Sequence, residues 1–187
     1  MKNYVLLCIA LLISFFTYAQ KSDGPVTVTP AIAAKINAEI EKGIPALMVR
    51  LEKNNGERTD KFDEAIKFGV DTFKIESFLR KSLDYDYSTL GMNTATSDAA
   101  TKYDALMNKY YKLLSAKLKP ADRAILLTAQ RSWLTYRDNE IKLYSMLAKD
   151  EYSGGGTIQS NIGISRYFEI IKTRVLTLFE YYSGLYN

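Results

Sequence analysis

Apolar residues recur at three- and four-residue spacing along most of the chain, which is the period of helices with one buried face. The clearest example is residues 121–147, which hold the only Trp. On a wheel of about 100° per residue, its apolar side chains fall in one arc. That arc consists of Leu126, Leu127, Trp133, Leu134, Ile141, Tyr144 and Ala148. The pattern predicts a long helix around which the rest of the chain packs.

Two polar residues interrupt this apolar arc. Gln130 and Arg137 lie seven residues apart, so a nearly straight helix places both on the face meant for the core. A buried amide or guanidinium needs a hydrogen-bond partner, because leaving one unpaired costs about 1–3 kcal/mol. Two interpretations follow: an internal polar network, or a cleft that the helix lines.

Three further helices follow from the same periodicity. We expect them at about residues 59–84, at residues 97–118, and after Thr157 or Ser160, either of which can cap the last one. Pro120 suits the first turn of a helix, so the helices on its two sides should be antiparallel neighbours. No strand pattern of convincing length occurs. The predicted fold is all-α: an antiparallel helical bundle of three to four long helices.

Short N-terminal helices are expected before this bundle. Thr29 and Pro30 form a cap and first-turn pair that opens a helix, and Gly43 should end it near residue 42. A second short helix is predicted at residues 45–53. We therefore divide the chain into a signal peptide at residues 1–19, an N-terminal extension at 20–57 and a helical domain at 58–187.

The first nineteen residues have the features of an export signal. Lys2 provides the charge, residues 4–16 are almost wholly apolar, and Thr17-Tyr18-Ala19 offers a cleavage site. The apolar run is shorter than the ~20 residues of a membrane-spanning helix. The mature protein is therefore expected to be periplasmic or secreted, with no stable membrane span.

Composition limits the chemistry. The sequence has no His, and its only Cys, Cys8, lies in the predicted signal. This excludes Ser-His-Asp and Cys-His catalysis and the common zinc sites. The formal net charge of +4 falls to +3 when Lys2 is removed, and the charges are mixed in sign, which does not indicate nucleic-acid binding. We expect no enzyme activity, no cofactor and no metal.

Two local clusters each resemble a known kind of functional site but lack one of its required features. Asp84 and Asp86 resemble an acid/base pair, but carboxylates two apart in a turn are usually solvated. Gly154, Gly155 and Gly156 resemble a phosphate loop, yet no Lys-Ser or Lys-Thr follows and no strand precedes. A flexible connection between helices is favoured there, with room for partner binding.

A family resemblance rests on three pieces of the chain: the run LLTAQRSWLTYRDNE, the preceding helix with YDALMNKYYKLLSAKL, and a glycine loop followed by a helix containing Arg174. Together they resemble the lysozyme inhibitor LprI-like family over residues 88–182. Its members are exported bacterial proteins with a small helical domain. The most specific matches are Gln130, Arg131, Trp133, Tyr136, Arg137 and Asp138.

The resemblance implies a protein that binds and inhibits a lysozyme-type muramidase. Candidate partner-binding residues are Arg131, Tyr136, Gly154, Gly155, Gly156 and Thr157. The residues expected to hold the helices together are Gln130, Trp133, Arg137, Asp138 and Arg174. Many relatives carry a pair of cysteines at the places that look to be Ile141 and about Arg166 here, so that bridge is absent.

A non-inhibitory interaction module of the cell envelope is the alternative. It would bind another protein or peptidoglycan fragments through its tyrosines. Twelve of the fourteen tyrosines remain after the predicted cleavage. Tyrosine suits both protein interfaces and sugar stacking.

Overall fold

The computed structural model describes residues 24–54 and 60–185, which form helices and no strand. The helices are α1 (Pro30–Asn54), α2 (Asp60–Tyr85), α3 (Thr89–Lys117), α4 (Pro120–Leu147), α5 (Asp150–Ser153) and α6 (Ile158–Gly184). The all-α prediction is confirmed. The predicted signal peptide lies outside the described residues. No helix in the described ranges combines the length and apolar content that a membrane span requires.

The core lies where α3 and α6 pack along each other, with α2 across them. Tyr103 and Tyr110 of α3 and Ile171 of α6 are almost completely buried. Phe68 of α2 stacks on Phe179 of α6, with 3.9 Å between ring centroids and 4° between planes. Burial of these large side chains is the main favourable term in folding this bundle.

Helix α4 is not the centre of the bundle, contrary to the sequence prediction. Within α4, Leu126 is the one buried residue, and Trp133 is partly buried. The helix packs chiefly on α6, and Leu127 and Leu143 stay exposed. The period of an apolar stripe identifies which face of a helix is apolar, whereas the number of neighbours decides how much of that face is covered.

The two short N-terminal helices form one continuous helix, so the break expected at Gly43 is wrong. Ile36, Ile40 and Leu47 are buried at spacings of four and seven residues. The buried stripe therefore continues past Gly43 and through Pro45, which lies inside the helix. Packing of this stripe on α2 outweighs the poor helix propensity of those two residues.

Helix α3 begins at Thr89, eight residues before the predicted start. Ser88 is its N-cap, and the Ser88 hydroxyl accepts a hydrogen bond of 3.0 Å from the Gly91 backbone N–H. Asp86 is only 7% exposed, so the expectation of a solvated pair is wrong for this residue, while Asp84 is exposed. A side chain at Gly91 would overlap the Asp86 carboxyl group. Glycine is therefore required inside this first helical turn.

Two glutamates of α2 accept hydrogen bonds from the buried tyrosines of α3. Tyr103 donates to Glu76 Oε1 over 2.7 Å, and Tyr110 donates to Glu64 Oε1 over 3.2 Å. Lys172 of α6 pairs with Glu76 at 2.7 Å. Burial raises the pKa of both tyrosines above the usual 10, and their glutamate partners raise it further. Helix α2 therefore covers the core and satisfies its polar groups, and α1 packs on α2.

Candidate functional site

A groove runs between α4 and α6. Its central hollow of about 500 Å³ is lined by Tyr136, Glu140 and Tyr144 of α4 and by Arg166 and Glu169 of α6. A hollow of about 350 Å³ shares Tyr136 and continues towards Arg174, and one of about 290 Å³ shares Tyr144 and continues towards α5. These three hollows together are called the α4–α6 groove.

Gln130 fastens α4 to its two neighbours. Its Oε1 accepts a hydrogen bond of 2.9 Å from Arg174 Nε, and its Nε2 lies 3.5 Å from Met107 Sδ in α3. The Arg174 guanidinium lies 5.8 Å from the centre of the Trp133 ring. Desolvation by burial lowers the pKa of Arg174. This geometry supports the internal-network interpretation for Gln130.

Arg137 lies at the edge of the apolar stripe. Its Nε and one terminal nitrogen donate to Asp138 Oδ1 over 2.9 and 2.7 Å. The guanidinium also lies 5.6 Å from the centre of the Trp133 ring. The Arg137 side chain is only 18% exposed and Asp138 is 55% exposed, so the guanidinium stays partly buried while its partner lies at the surface. Long Arg side chains commonly leave an apolar stripe in this way.

Tyr144 brings α4 close to the start of α6. Its hydroxyl lies 2.8 Å from Gln159 Oε1 and 3.0 Å from the Gln159 carbonyl oxygen. A methyl group at Gly163 would lie 2.9 Å from the Tyr144 ring, so glycine permits this approach. The Arg166 guanidinium lies 5.0 Å from the centre of the same ring. Sequence reasoning placed Tyr144 on the apolar face but missed Gln159 and Gly163.

Ile141 and Arg166 both line the central hollow of the groove. These are the places that look to correspond to the cysteine pair of many relatives. In this chain an apolar and a basic side chain occupy them. The contact of Tyr144 with Gln159 and Arg166 fastens the same region of the two helices without a covalent bond.

The glycine loop connects α5 to α6 in a defined conformation. Gly154, Gly155 and Gly156 have φ values of 73°, 66° and 88°, a left-handed conformation that side chains disfavour. The Gly154 N–H donates to Asp150 O over 2.9 Å and ends α5. Thr157 takes the N-cap position of α6, but its side chain makes no capping hydrogen bond.

The candidate partner-binding residues do not form one patch. Tyr136 lines the groove, and Ser153, which immediately precedes the glycine loop, lines its far end. Arg131 is exposed but lies roughly 140° around α4 from Tyr136. The groove and the glycine loop are therefore contiguous, and Arg131 belongs to another face of the helix.

The groove combines aromatic rings with charged groups of both signs. Tyr136 is 52% exposed, Glu169 and Arg166 are exposed, and Glu140 is partly buried. Such a surface offers hydrogen-bond donors, acceptors and rings to a protein or a sugar.

The comparison with protein families identifies the chain. The model described as "Lysozyme inhibitor LprI" matches residues 80–178, which is more than half of the sequence. The chain belongs to the LprI family. The resemblance drawn from the sequence is thereby confirmed, with a match that begins before residue 88 and ends before 182. LprI is a family of inhibitors, not of enzymes. Comparisons with curated proteins and with solved structures gave no match.

The residues that line the α4–α6 groove all lie between positions 133 and 177, so the LprI match includes the whole groove. It also includes the glycine loop. It excludes α1 and most of α2. The part of the chain that defines the family is thus the part that carries the groove.

Proposed function

We propose that this protein is exported to the periplasm or beyond the cell, where it binds and inhibits a lysozyme-type muramidase. The observation that carries the proposal is the LprI match over α3, α4, the glycine loop and most of α6. The apolar run at residues 4–16 supports export. A protein partner also agrees with the aromatic and charged surface of the groove.

The proposed contact surface is the end of the α4–α6 groove together with the glycine loop. Enzymes of the lysozyme type hold two catalytic carboxylates in a cleft. An inhibitor needs a narrow projecting element to enter such a cleft, and a loop of three consecutive glycines has no side chains to widen it. Tyr152, which is 62% exposed just before this loop, and Tyr136 in the groove provide anchor side chains.

Charge favours the loop end of the molecule over the rest. A net charge of +3 after cleavage gives no overall attraction to a cationic muramidase. Residues 149–165, however, contain two acidic residues, Asp150 and Glu151, and one basic residue, Lys149. The glycine loop therefore follows an acidic segment, which would orient a basic partner towards it.

The test is a muramidase assay with the mature protein, residues 20–187. Lysozymes of several structural types are mixed with micromolar excess of the protein, and lysis of a cell-wall suspension is followed. We expect loss of activity with at least one type and a stoichiometric plateau. Full activity of every type at that excess would overturn the proposal.

Binding to peptidoglycan fragments is the second candidate, and the exposed ring of Tyr136 beside Glu169 favours it. Aromatic faces flanked by carboxylates suit sugars, because rings stack on the pyranose and oxygens accept its hydroxyls. Retention on insoluble peptidoglycan with no lysozyme present, and its loss in Tyr136→Ala, would support this function. Retention only when lysozyme is already bound to the polymer would favour inhibition.

A further inference from the structure

A second apolar stripe runs along α4, next to the face that packs on the bundle. It consists of Ile125, Ala129, Tyr136, Leu143 and Leu147. At about 100° per residue these five side chains fall within an arc of about 40°. The four large ones are between 45% and 70% exposed, and Ala129 is exposed as well. These five residues are called the Tyr136 stripe.

Open hollows border the Tyr136 stripe along its whole length. Ile125 and Ala129 line a hollow of about 630 Å³ together with the end of α6. Tyr136 lines the central hollow of the α4–α6 groove, and Leu143 and Leu147 line the hollow towards α5. Among the described helices, α4 packs chiefly on α6. An apolar face of this length on a surface helix is typical of an interaction site.

The Tyr136 stripe has the same spacing in both directions from Tyr136. Ala129 and Leu143 each lie seven residues from it, and Ile125 and Leu147 each lie eleven residues from it. When two identical helices pack antiparallel about a two-fold axis at Tyr136, residues at equal separations on opposite sides meet. The pairs are then Ile with Leu, Ala with Leu, and Tyr with Tyr. The stripe is therefore complementary to a second copy of itself.

Charge does not oppose this pairing. Within α4 the arc of the Tyr136 stripe holds no charged residue, and Arg131, Asp138 and Lys142 lie on other faces of the helix. Glu140 borders the stripe four residues from Tyr136. Two copies of Glu140 would therefore be about 12 Å apart along the helices, which exceeds the screening length of about 8 Å at physiological salt.

The area of this face suits a stable dimer. The stripe from Ile125 to Leu147 is about 33 Å long at 1.5 Å per residue, and α4 and α6 together are about 20 Å wide. Each copy would thus cover about 660 Å², or about 1,300 Å² for both, which lies at the lower end of the range for specific interfaces. We expect such an interface to have a dissociation constant in the micromolar range.

We propose that the protein forms a two-fold symmetric dimer in which the Tyr136 stripes of two copies pack antiparallel. Recognition of a second copy accounts for the symmetric spacing, which a different protein partner would not require. Tyr136 also belongs to the proposed muramidase surface, so the dimer withholds this surface until it dissociates. That consequence rests on the proposed function, whereas the dimer does not.

The first test is sedimentation velocity of the mature protein, residues 20–187, over about 1 to 200 µM with no muramidase present. We expect conversion from monomer to dimer in this range. Leu143→Ser removes an apolar contact twice, once in each copy, and should raise the dissociation constant at least tenfold. Leu127→Ser is the matched control, because Leu127 is similarly exposed but lies roughly 180° around α4 from Tyr136. A monomer at every concentration, or equal effects of the two substitutions, would overturn the proposal.

The second test fixes the register by disulfide cross-linking. The sequence from residue 20 onwards contains no Cys, so introduced cysteines are the only thiols. Tyr136→Cys places two thiols across the axis, where closely packed helices bring the Cα atoms within the about 4–7 Å that a disulfide requires. It should form a linked dimer on mild oxidation. The double variant Ile125→Cys/Leu147→Cys should do so as well.

Two controls separate this register from random collision. Ile125→Cys alone keeps its two thiols about 33 Å apart in the dimer and should not cross-link. Arg131→Cys places an exposed thiol on another face of α4 and gives the rate of chance encounters. Tyr136→Cys should cross-link at least tenfold faster than either control. Equal rates in the three single variants would overturn the proposal.

Discussion

Arg174 Nε donates to Gln130 Oε1 over 2.9 Å and thereby ties α6 to α4. Both residues are partly buried, and the Arg174 guanidinium also lies near the Trp133 ring. Since Leu126 is the one buried residue of α4, apolar packing alone holds this helix weakly. The Gln130–Arg174 hydrogen bond is therefore one of the few contacts that fix α4 on the bundle.

Gln130→Leu should destabilise the protein by about 2 kcal/mol, because it leaves the partly buried Arg174 without its acceptor. Asp138→Asn is the matched control. It removes the charge that pairs with Arg137, but Asp138 is exposed, so its loss should cost less than about 1 kcal/mol. Urea unfolding measures both. Equal losses in the two variants would contradict the assignment of Gln130 as an internal fastener.

Tyr110→Phe should cost about 1 kcal/mol at pH 7, where the Tyr110 hydroxyl donates to Glu64. Burial and the Glu64 charge raise the pKa of Tyr110 above its usual 10. Above pH 10 the unfolded chain therefore releases this proton while the folded protein keeps it. Tyr110 then loses its stabilising contribution at up to about 1.4 kcal/mol per pH unit.

The advantage of the wild type over Tyr110→Phe should consequently shrink above pH 10 and vanish near pH 11. Urea unfolding of both proteins at pH 8, 10 and 11 measures this difference. Groups that titrate in both proteins, lysines included, cancel in the comparison. A difference in unfolding free energy that stays constant over this range would contradict the raised pKa.

Gly163→Ala should destabilise the protein by about 1–2 kcal/mol, even though alanine favours helices. The new methyl group would lie 2.9 Å from the Tyr144 ring and push α4 away from Gln159. Gly184→Ala, at the other end of α6, is the control, because a methyl group there meets nothing within 4 Å. Its unfolding free energy should stay unchanged or rise by up to about 1 kcal/mol. The same sign in both variants would argue against a close contact at Gly163.

Tyr136→Ala and Tyr152→Ala should each raise the inhibition constant for the susceptible lysozyme about tenfold, since exposed aromatic side chains dominate protein interfaces. Tyr181→Ala is the control: Tyr181 is 54% exposed, much like Tyr136, but lies near the opposite end of α6 from the glycine loop. It should change inhibition less than twofold. An equal effect of all three substitutions would place the contact surface elsewhere. Circular dichroism checks that each variant is folded.

Much of the fold was predictable from periodicity, because α2, α3, α4 and α6 each keep apolar residues at helical spacing. The boundaries were less predictable. Gly43, Pro45 and Gly91 are typical of breaks, yet each lies inside a helix. A glycine that is needed for close packing and a glycine that ends a helix look the same in a sequence.

The candidate site was predictable only in part. Sequence spacing placed Gln130 on the apolar face and required a partner for it, but Arg174 is far away in the chain and its role depends on how α6 packs. Asp86 was expected in water because of its turn-like neighbours. Its burial depends on the missing side chain of Gly91 and on the segment before α1, where the Val26 N–H donates to Tyr85 O, a contact between residues far apart in the chain.

The hydrogen bonds between α2 and α3 bear on where this domain begins. Glu64 and Glu76 lie before residue 80, outside the matched segment. Tyr110 and Tyr103, which donate hydrogen bonds to them, lie inside it. A fragment trimmed to the matched residues would keep both buried phenols and lose their acceptors, together with the apolar face that Phe68 covers. We therefore expect that a fragment able to fold on its own has to begin before residue 80.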